Sequence, residues 1–181
     1  GRLEQLTEMQ EKNHLVVDSE GFTVQHLISA DIELTEATVN PNSLLVSKTL
    51  RQVGFRQNYN VIVLAIIREG TSYRTNLEGI PLLVDDKLLI QVRRGQLDEL
   101  LENELGLGFS EPASLADYKL DDRLMVVRVP PDSYLVGKSL MESRLGDSYG
   151  LGVLGIIRDG QTLLMVPPTE KLQADDTLLV K

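Results

Sequence analysis

Two arginines stand where an apolar run stops. Residues 61 to 70 read VIVLAIIREG, and residues 151 to 160 read LGVLGIIRDG. Arg68 and Arg158 each precede an acid and a glycine. A guanidinium is a flat fork of N–H donors, shaped to meet a carboxylate or a phosphate with two parallel bonds. One account is therefore a ligand contact. The simpler account is an ion pair with a neighbouring acid, either Glu69 or Asp159 or the pairs Asp85-Asp86 and Asp175-Asp176; exposed pairs of this kind are common and weak. The stretch Met165 to Pro168, MVPP, adds a small rigid apolar surface whose prolines leave backbone carbonyls exposed. A planar ring could pack there, although a strand end entering a loop also accounts for it.

Other chemistry-bearing residues point less clearly. Gly137-Lys138-Ser139 has the ending of a phosphate loop, but that loop needs a glycine five positions upstream and Asp132 occupies it. A capped helix start explains the triplet better. The Asp pairs could offer oxygen ligands to a hard cation, yet nothing nearby has the alternating acidic spacing of a calcium loop, and a solvated turn is expected. His14 and His26 are the only histidines. They lack the partners of a triad or a metal site, so ordinary surface or interface roles are expected. No nucleophile–base or paired-carboxylate signature stands out. The expectation is a protein that is not an enzyme, with no catalytic residues, no metal and no cofactor.

The totals bound the remaining possibilities. The chain has 181 residues, 42% hydrophobic and 25% charged, which is ordinary globular composition. Its net charge is −9, so a surface for a nucleic acid polymer or an anionic membrane is not expected. Without cysteine there is no disulfide, thiolate or Cys-zinc chemistry. No apolar stretch approaches the roughly 20 residues that span a bilayer. The first residues lack both the pattern of a signal peptide and an initiator methionine, as an excised piece of a longer protein would.

The arginines belong to a duplication. Shifted by 90, residues 32 to 91 align with 122 to 181 without a gap, and about 20 of the 60 pairs are identical. Each copy reads as an extended opening (IELTEATV; LMVVRV), a Pro-containing turn and a short helix, for which Ser47 and Gly137 are acceptable N-caps. The apolar run follows as a central strand buried on both faces. Glu69-Gly70 and Asp159-Gly160 supply hairpin turns, because glycine accepts the positive φ these need. Two further strands (SYRTN, DDKLLIQV; TLLMV, DDTLLVK) complete a β-α-β-β-β unit. The predicted class is α+β, two such domains joined by a helix and linker. Predicted boundaries are 1–31 for an N-terminal helix and linker, 32–93 for the first copy, 94–120 for a helix and linker, and 121–181 for the second copy. Leu97, Leu100, Leu101 and Leu105 mark one face of the joining helix, and 106 to 118 read as linker. The opening GRLEQLTEMQ resembles GQLDELLENE at residues 95 to 104, as though it trailed an earlier unit.

The order of these motifs resembles the C-terminal domain of the RCK family, also called the TrkA-C domain. The second copy carries Gly-Lys-Ser-Leu opening a helix, Tyr-Gly before the Val/Ile strand, Arg-x-Gly, VPPT and a turn into a Leu-Leu-Val strand. The first copy departs at Ser47 and Asn60, where the family has glycine, and at NLEG in place of VPPT. Both copies have Asp85 or Asp175 where the family has glycine. The resemblance implies a regulatory module at the cytoplasmic face of an integral membrane protein. Tandem copies without a nucleotide-binding half resemble the cytosolic loop of sodium-coupled sulfate and dicarboxylate symporters. The implied partner is the membrane-embedded part of the parent transporter, with pseudo-symmetric pairing of the copies and a homodimer as further expectations. Some family members bind cyclic di-AMP between two such domains. A small anionic or cyclic dinucleotide ligand is thus the candidate, with Arg158, Val166, Pro167 and Pro168 as contacts and Arg68 behind them. A non-sensing assembly module is the alternative.

Overall fold

The computed structural model describes residues 2–18, 22–97 and 105–181. The chain divides into two compact units, Val24–Asp122 and a second one made of Gly1–Thr23 with Arg123–Lys181. The first holds the first copy and the other holds the second, so the N-terminal segment belongs with the last part of the chain.

The second-copy unit begins with α1 (Arg2–Asn13) and β1 (Val16–Asp18). In the first-copy unit, β2 (Ile32–Val39) leads to α2 (Leu50–Val53) and α3 (Phe55–Tyr59), then β3 (Ile62–Arg68), β4 (Thr71–Tyr73), β5 (Lys87–Arg93) and β6 (Leu107–Ser110). The chain returns to the second-copy unit as β7 (Met125–Arg128), α4 (Leu140–Ser143), α5 (Leu145–Tyr149), β8 (Val153–Arg158), β9 (Gln161–Leu164) and β10 (Thr177–Val180). Two five-stranded antiparallel sheets result, ordered β4-β3-β5-β2-β6 and β1-β7-β10-β8-β9. The α+β expectation and the duplicated unit hold. The apolar run is an interior strand, but β5 and β10 occupy the sheet centres, because each pairs with both the opening strand and the apolar run.

Three local expectations need correction. The helix caps are Thr49 and Ser139, not Ser47 and Gly137. Thr49 Oγ1 accepts from Gln52 N and Gln52 Oε1 accepts from Thr49 N, a reciprocal capping box; Ser139 and Glu142 repeat it. Ser47 and Gly137 lie two residues earlier, in left-handed conformation at φ 71° and 88°, where the chain turns. The single helix is two short ones, broken by a left-handed Gly54 (φ 66°) or Arg144 (φ 56°). Part of the expected linker, Leu107–Ser110, is a strand, because its backbone pairs antiparallel with the edge of β2. Of the predicted helical face, Leu100 and Leu101 lie outside the described residues.

Each sheet buries one face against its helices. Ala37, Val39, Leu45, Phe55, Ile66, Leu88 and Ile90 form the first core. Val127, Val129, Leu135, Leu145, Ile156, Leu178 and Val180 form its equivalent, joined by Met9 from α1. The period-two alternation of β2 and the near-continuous burial of β5 match these positions. Leu64, Leu89 and Gln91 are also fully buried, so β3 and β5 have few wet positions, as their unbroken Val/Ile/Leu runs predict.

Candidate functional site

The hairpins place the arginines. Arg68 pairs with Thr71 and Arg158 with Gln161, leaving two-residue loops, Glu69-Gly70 and Asp159-Gly160. All four loop residues have positive φ, between 50° and 80°, which is the geometry that follows the twist of the strands. This turn swings each arginine side chain over the start of the last strand. There the second aspartate of each pair waits. Asp86 is 1% exposed and Asp176 is 0% exposed, against the expectation of solvated turns. Asp85 and Asp175, by contrast, are exposed and left-handed, at φ 70° and 68°.

Arg68 Nε donates to Asp86 Oδ1 at 2.9 Å, and its Nη2 donates to Asp86 Oδ2 at 2.7 Å and to Pro81 O at 2.8 Å. Arg158 repeats the pattern on Asp176, at 2.9 and 2.8 Å, with Nη2 also on Lys171 O at 2.9 Å. The same carboxylates accept the backbone N–H of Leu83 and Gln173 at 2.8 Å. Hydrogen bonding to the carboxylate holds both guanidinium pKa values above their ordinary value. The arginine is thus a clip between hairpin and last strand, and two of its three nitrogens are committed inside each copy.

The remaining nitrogen, Nη1, distinguishes the copies. In the second, it donates to Glu170 at 3.3 Å. In the first, Ile80 stands at the equivalent position, and Arg68 Nη1 has no hydrogen-bond partner among the described residues. The Arg68 guanidinium lies 5.9 Å from the centre of the Tyr73 ring, which is 38% exposed. The first copy therefore presents an uncommitted N–H beside an exposed aromatic face.

The MVPP stretch differs from expectation. Met165 and Val166 are buried, and Val166 is part of the core of its copy. Pro167 and Pro168 are exposed, but their carbonyls are engaged: Pro167 O accepts from Glu170 N at 3.1 Å and Pro168 O from Met141 N at 3.0 Å. The proline rings remain as surface. His14 is exposed, with Nδ1 3.3 Å from Asp132 Oδ2, and His26 is exposed in a short 3-10 turn. No group of acidic, His or Cys side chains suited to a metal ion occurs among the described residues. No helix of the described residues is long and apolar enough to cross a membrane.

The two clips repeat the same order of strand, arginine, hairpin and buried aspartate. The TrkA-C domain matches residues 34–104 and again 124–181. The chain belongs to the TrkA-C domain family. Among curated relatives, Sodium/sulfate cotransporter 2 of Chlamydomonas reinhardtii is 26% identical over 149 residues, which is 82% of this chain and 17% of that protein. Uncharacterized transporter YfbS of Escherichia coli is 33% identical over 76 residues, 42% of this chain and 12% of that protein. Uncharacterized transporter sll0640 of Synechocystis is 25% identical over 158 residues, 82% of this chain and 26% of that protein. The chain spans about a quarter or less of the length of each. Among solved structures, the GsuK RCK domain is 12% identical over 99% of this chain and 66% of that one, with a TM-score of 0.40. The RCK_C domain dimer of S. agalactiae BusR in complex with c-di-AMP is 20% identical over 33% of this chain and 78% of that one, with a TM-score of 0.31.

Proposed function

We propose that this tandem TrkA-C chain is a regulatory module of a membrane ion or solute transporter, at its cytoplasmic face, and that it senses a small anionic or cyclic dinucleotide ligand. The observation that carries the reading is the double domain match in a chain whose relatives are transporters several times its length. Regulation requires only that the ligand bind one arrangement of the module better than another. The residues best disposed to meet a ligand are Arg68 with Tyr73, and Arg158 with the rings of Pro167 and Pro168. An anion at Arg158 has to displace Glu170, whereas at Arg68 it meets an open N–H. Titration calorimetry with cyclic di-AMP, linear nucleotides, sulfate and dicarboxylates tests this. Saturable heat with one of them, weakened by Tyr73→Ala in a protein of unchanged circular dichroism, is expected. No heat from any of them, with folded protein, would overturn sensing.

Exposed Leu44, Leu83 and Val84 favour a second reading, in which the copies only assemble the transporter. They sit on two turns that are held together by Ser47 N to Leu82 O and Val39 N to Asp86 O. That reading expects a dimer by light scattering that is dissolved by Leu44→Asp and unaffected by any of the ligands.

A further inference from the structure

The two copies are closed by equivalent segments that come from different places in the chain. In the first-copy unit, β6 covers the edge of β2 with Leu107 opposite Val39 and Ser110 opposite Glu36, and Ser43 Oγ donates to Leu105 O at 2.5 Å. In the second-copy unit, β1 covers the edge of β7 with Val16 opposite Arg128 and Asp18 opposite Val126, and Ser133 Oγ donates to Asn13 O at 2.6 Å. Asn13 therefore stands to Ser133 as Leu105 stands to Ser43, and Asp18 stands to Val126 as Ser110 stands to Glu36. Leu15 and Leu107, the next residues inward, are both buried. Between each serine contact and each strand is one left-handed joint residue, His14 at φ 52° or Gly106 at φ 73°.

The joints are not interchangeable. A Cβ on Gly106 would lie 2.6 Å from Ser43 Cα and 2.8 Å from Ser43 Cβ, so no other side chain fits. Asn40 N donates to Gly106 O at 2.9 Å and draws that joint inward. In the second copy the equivalent of Asn40 is Pro130, which has no N–H to draw with. Its joint carries a full side chain: the His14 ring centre is 4.6 Å from that of Tyr134, and Nδ1 is 3.3 Å from Asp132 Oδ2. The first copy has Asn42 and Leu44 at those two places.

We infer that residues 2–18 form a closing segment keyed to the second copy, and that the surface they cover is a binding site for a helix–turn–strand peptide. The site consists of the β7 edge, the Ser133 hydroxyl, and Asp132 with Tyr134, which read the joint side chain. Its occupant is the segment 2–18 of the same chain, seated there by the pairing of β1 with β7 and the bond of Ser133 to Asn13. Gly106 keeps that segment off the first copy, where His14 would meet the Ser43 backbone.

The test uses the full chain with a protease recognition sequence inserted between Asp18 and Phe22. After cleavage, the N-terminal fragment is expected to co-elute with the remainder on gel filtration. Excess fluorescein-labelled peptide 1–18 is expected to replace it, while labelled peptide 93–110 and peptide 1–18 carrying His14→Gly bind at least about tenfold more weakly. A fragment that leaves without any uptake of peptide 1–18 would overturn the binding site. Equal binding of peptides 1–18 and 93–110 would overturn the key. In the uncleaved chain, Gly106→His is expected to lower the unfolding midpoint much more than His14→Gly, and equal shifts count against the key as well.

Discussion

Arg158 and Asp176 meet through two parallel N–H···O bonds of 2.9 and 2.8 Å, with the aspartate fully buried and the arginine 15% exposed. The geometry makes this arginine part of the fold before it can be part of a ligand site. Removing the guanidinium leaves a buried carboxylate with only the Gln173 N–H in compensation. Arg158→Ala is expected to cost about 3 kcal/mol, read as a fall in the urea midpoint of the second-copy unit. Arg158→Lys recovers little, since an ammonium supplies no fork. A ligand that loses affinity on Arg158→Ala thus says nothing of direct contact unless the variant is shown to be folded.

The left-handed turn residues give a reciprocal pair. Ser47 at φ 71° occupies the place of Gly137 at φ 88°. A side chain in this region costs roughly 1 kcal/mol relative to glycine. Ser47→Gly is expected to raise the thermal midpoint of the first-copy unit, and Gly137→Ser to lower that of the second by a similar amount. Scanning calorimetry on both variants reads the two signs. No steric contact intervenes at Gly137, around which a Cβ would find open space.

The lysine at 181 gives a pH dependence. Its backbone bonds Gly152 in both directions, and burial lowers its ammonium pKa from 10.5 to about 8. Between those two values the unfolded chain holds a proton that the folded chain has released, so stability rises with pH across this window. Below pH 8 the folded state carries the desolvation cost of the charged form. Lys181→Met is expected to stabilise the second-copy unit at pH 7 and to flatten the rise between pH 8 and 10, as measured by urea unfolding. The equivalent position in the first copy is Gln91, a neutral buried side chain that donates to Leu27 O at 2.9 Å.

The caps offer an acid-side prediction. Two hydrogen bonds from Ser139 hold the Glu142 carboxyl below its ordinary pKa. That contribution is present at neutral pH and is lost as the pH falls through the lowered value. Ser139→Ala is expected to cost about 1 kcal/mol and to remove part of the acid sensitivity of the second-copy unit. Circular dichroism during acid titration checks both.

Much of this was legible in the residues. The period-two pattern of IELTEATV, the Asp-Gly turn and the 90-residue repeat lead to the strands and hairpins, because burial and positive φ leave few alternatives at those positions. The Thr49-x-x-Gln52 and Ser139-x-x-Glu142 boxes were also there to be read, and the glycine-like turn at Ser47 obscured them. What local pattern does not carry is long-range pairing. Nothing near Asp86 says that it is buried, because its partner Arg68 lies 18 residues away across the sheet. Nothing near Val17 names Val127, because an edge strand of three residues has too short a pattern to specify its neighbour. The ion pair of Arg158 with an acid of the Asp175-Asp176 pair was among the readings of the sequence, whereas the MVPP stretch read as open surface although both proline carbonyls are already engaged.

The pairing of Val17 with Val127 also sets an order of events during synthesis. The first-copy unit, residues 24 to 122, is a continuous stretch whose contacts can form as soon as it emerges. The N-terminal helix emerges earlier, yet its acceptor strand appears about a hundred residues later, and the core that receives Met9 is finished only with the last strand. At ribosomal rates of roughly 5 to 20 residues per second, the delay is on the order of 5 to 20 seconds. Throughout that interval the apolar side of α1 has no native partner. The exposed acidic residues on the rest of the helix, Glu4, Glu8 and Glu11, then have a task of their own: keeping the waiting segment in solution until the strand it matches exists.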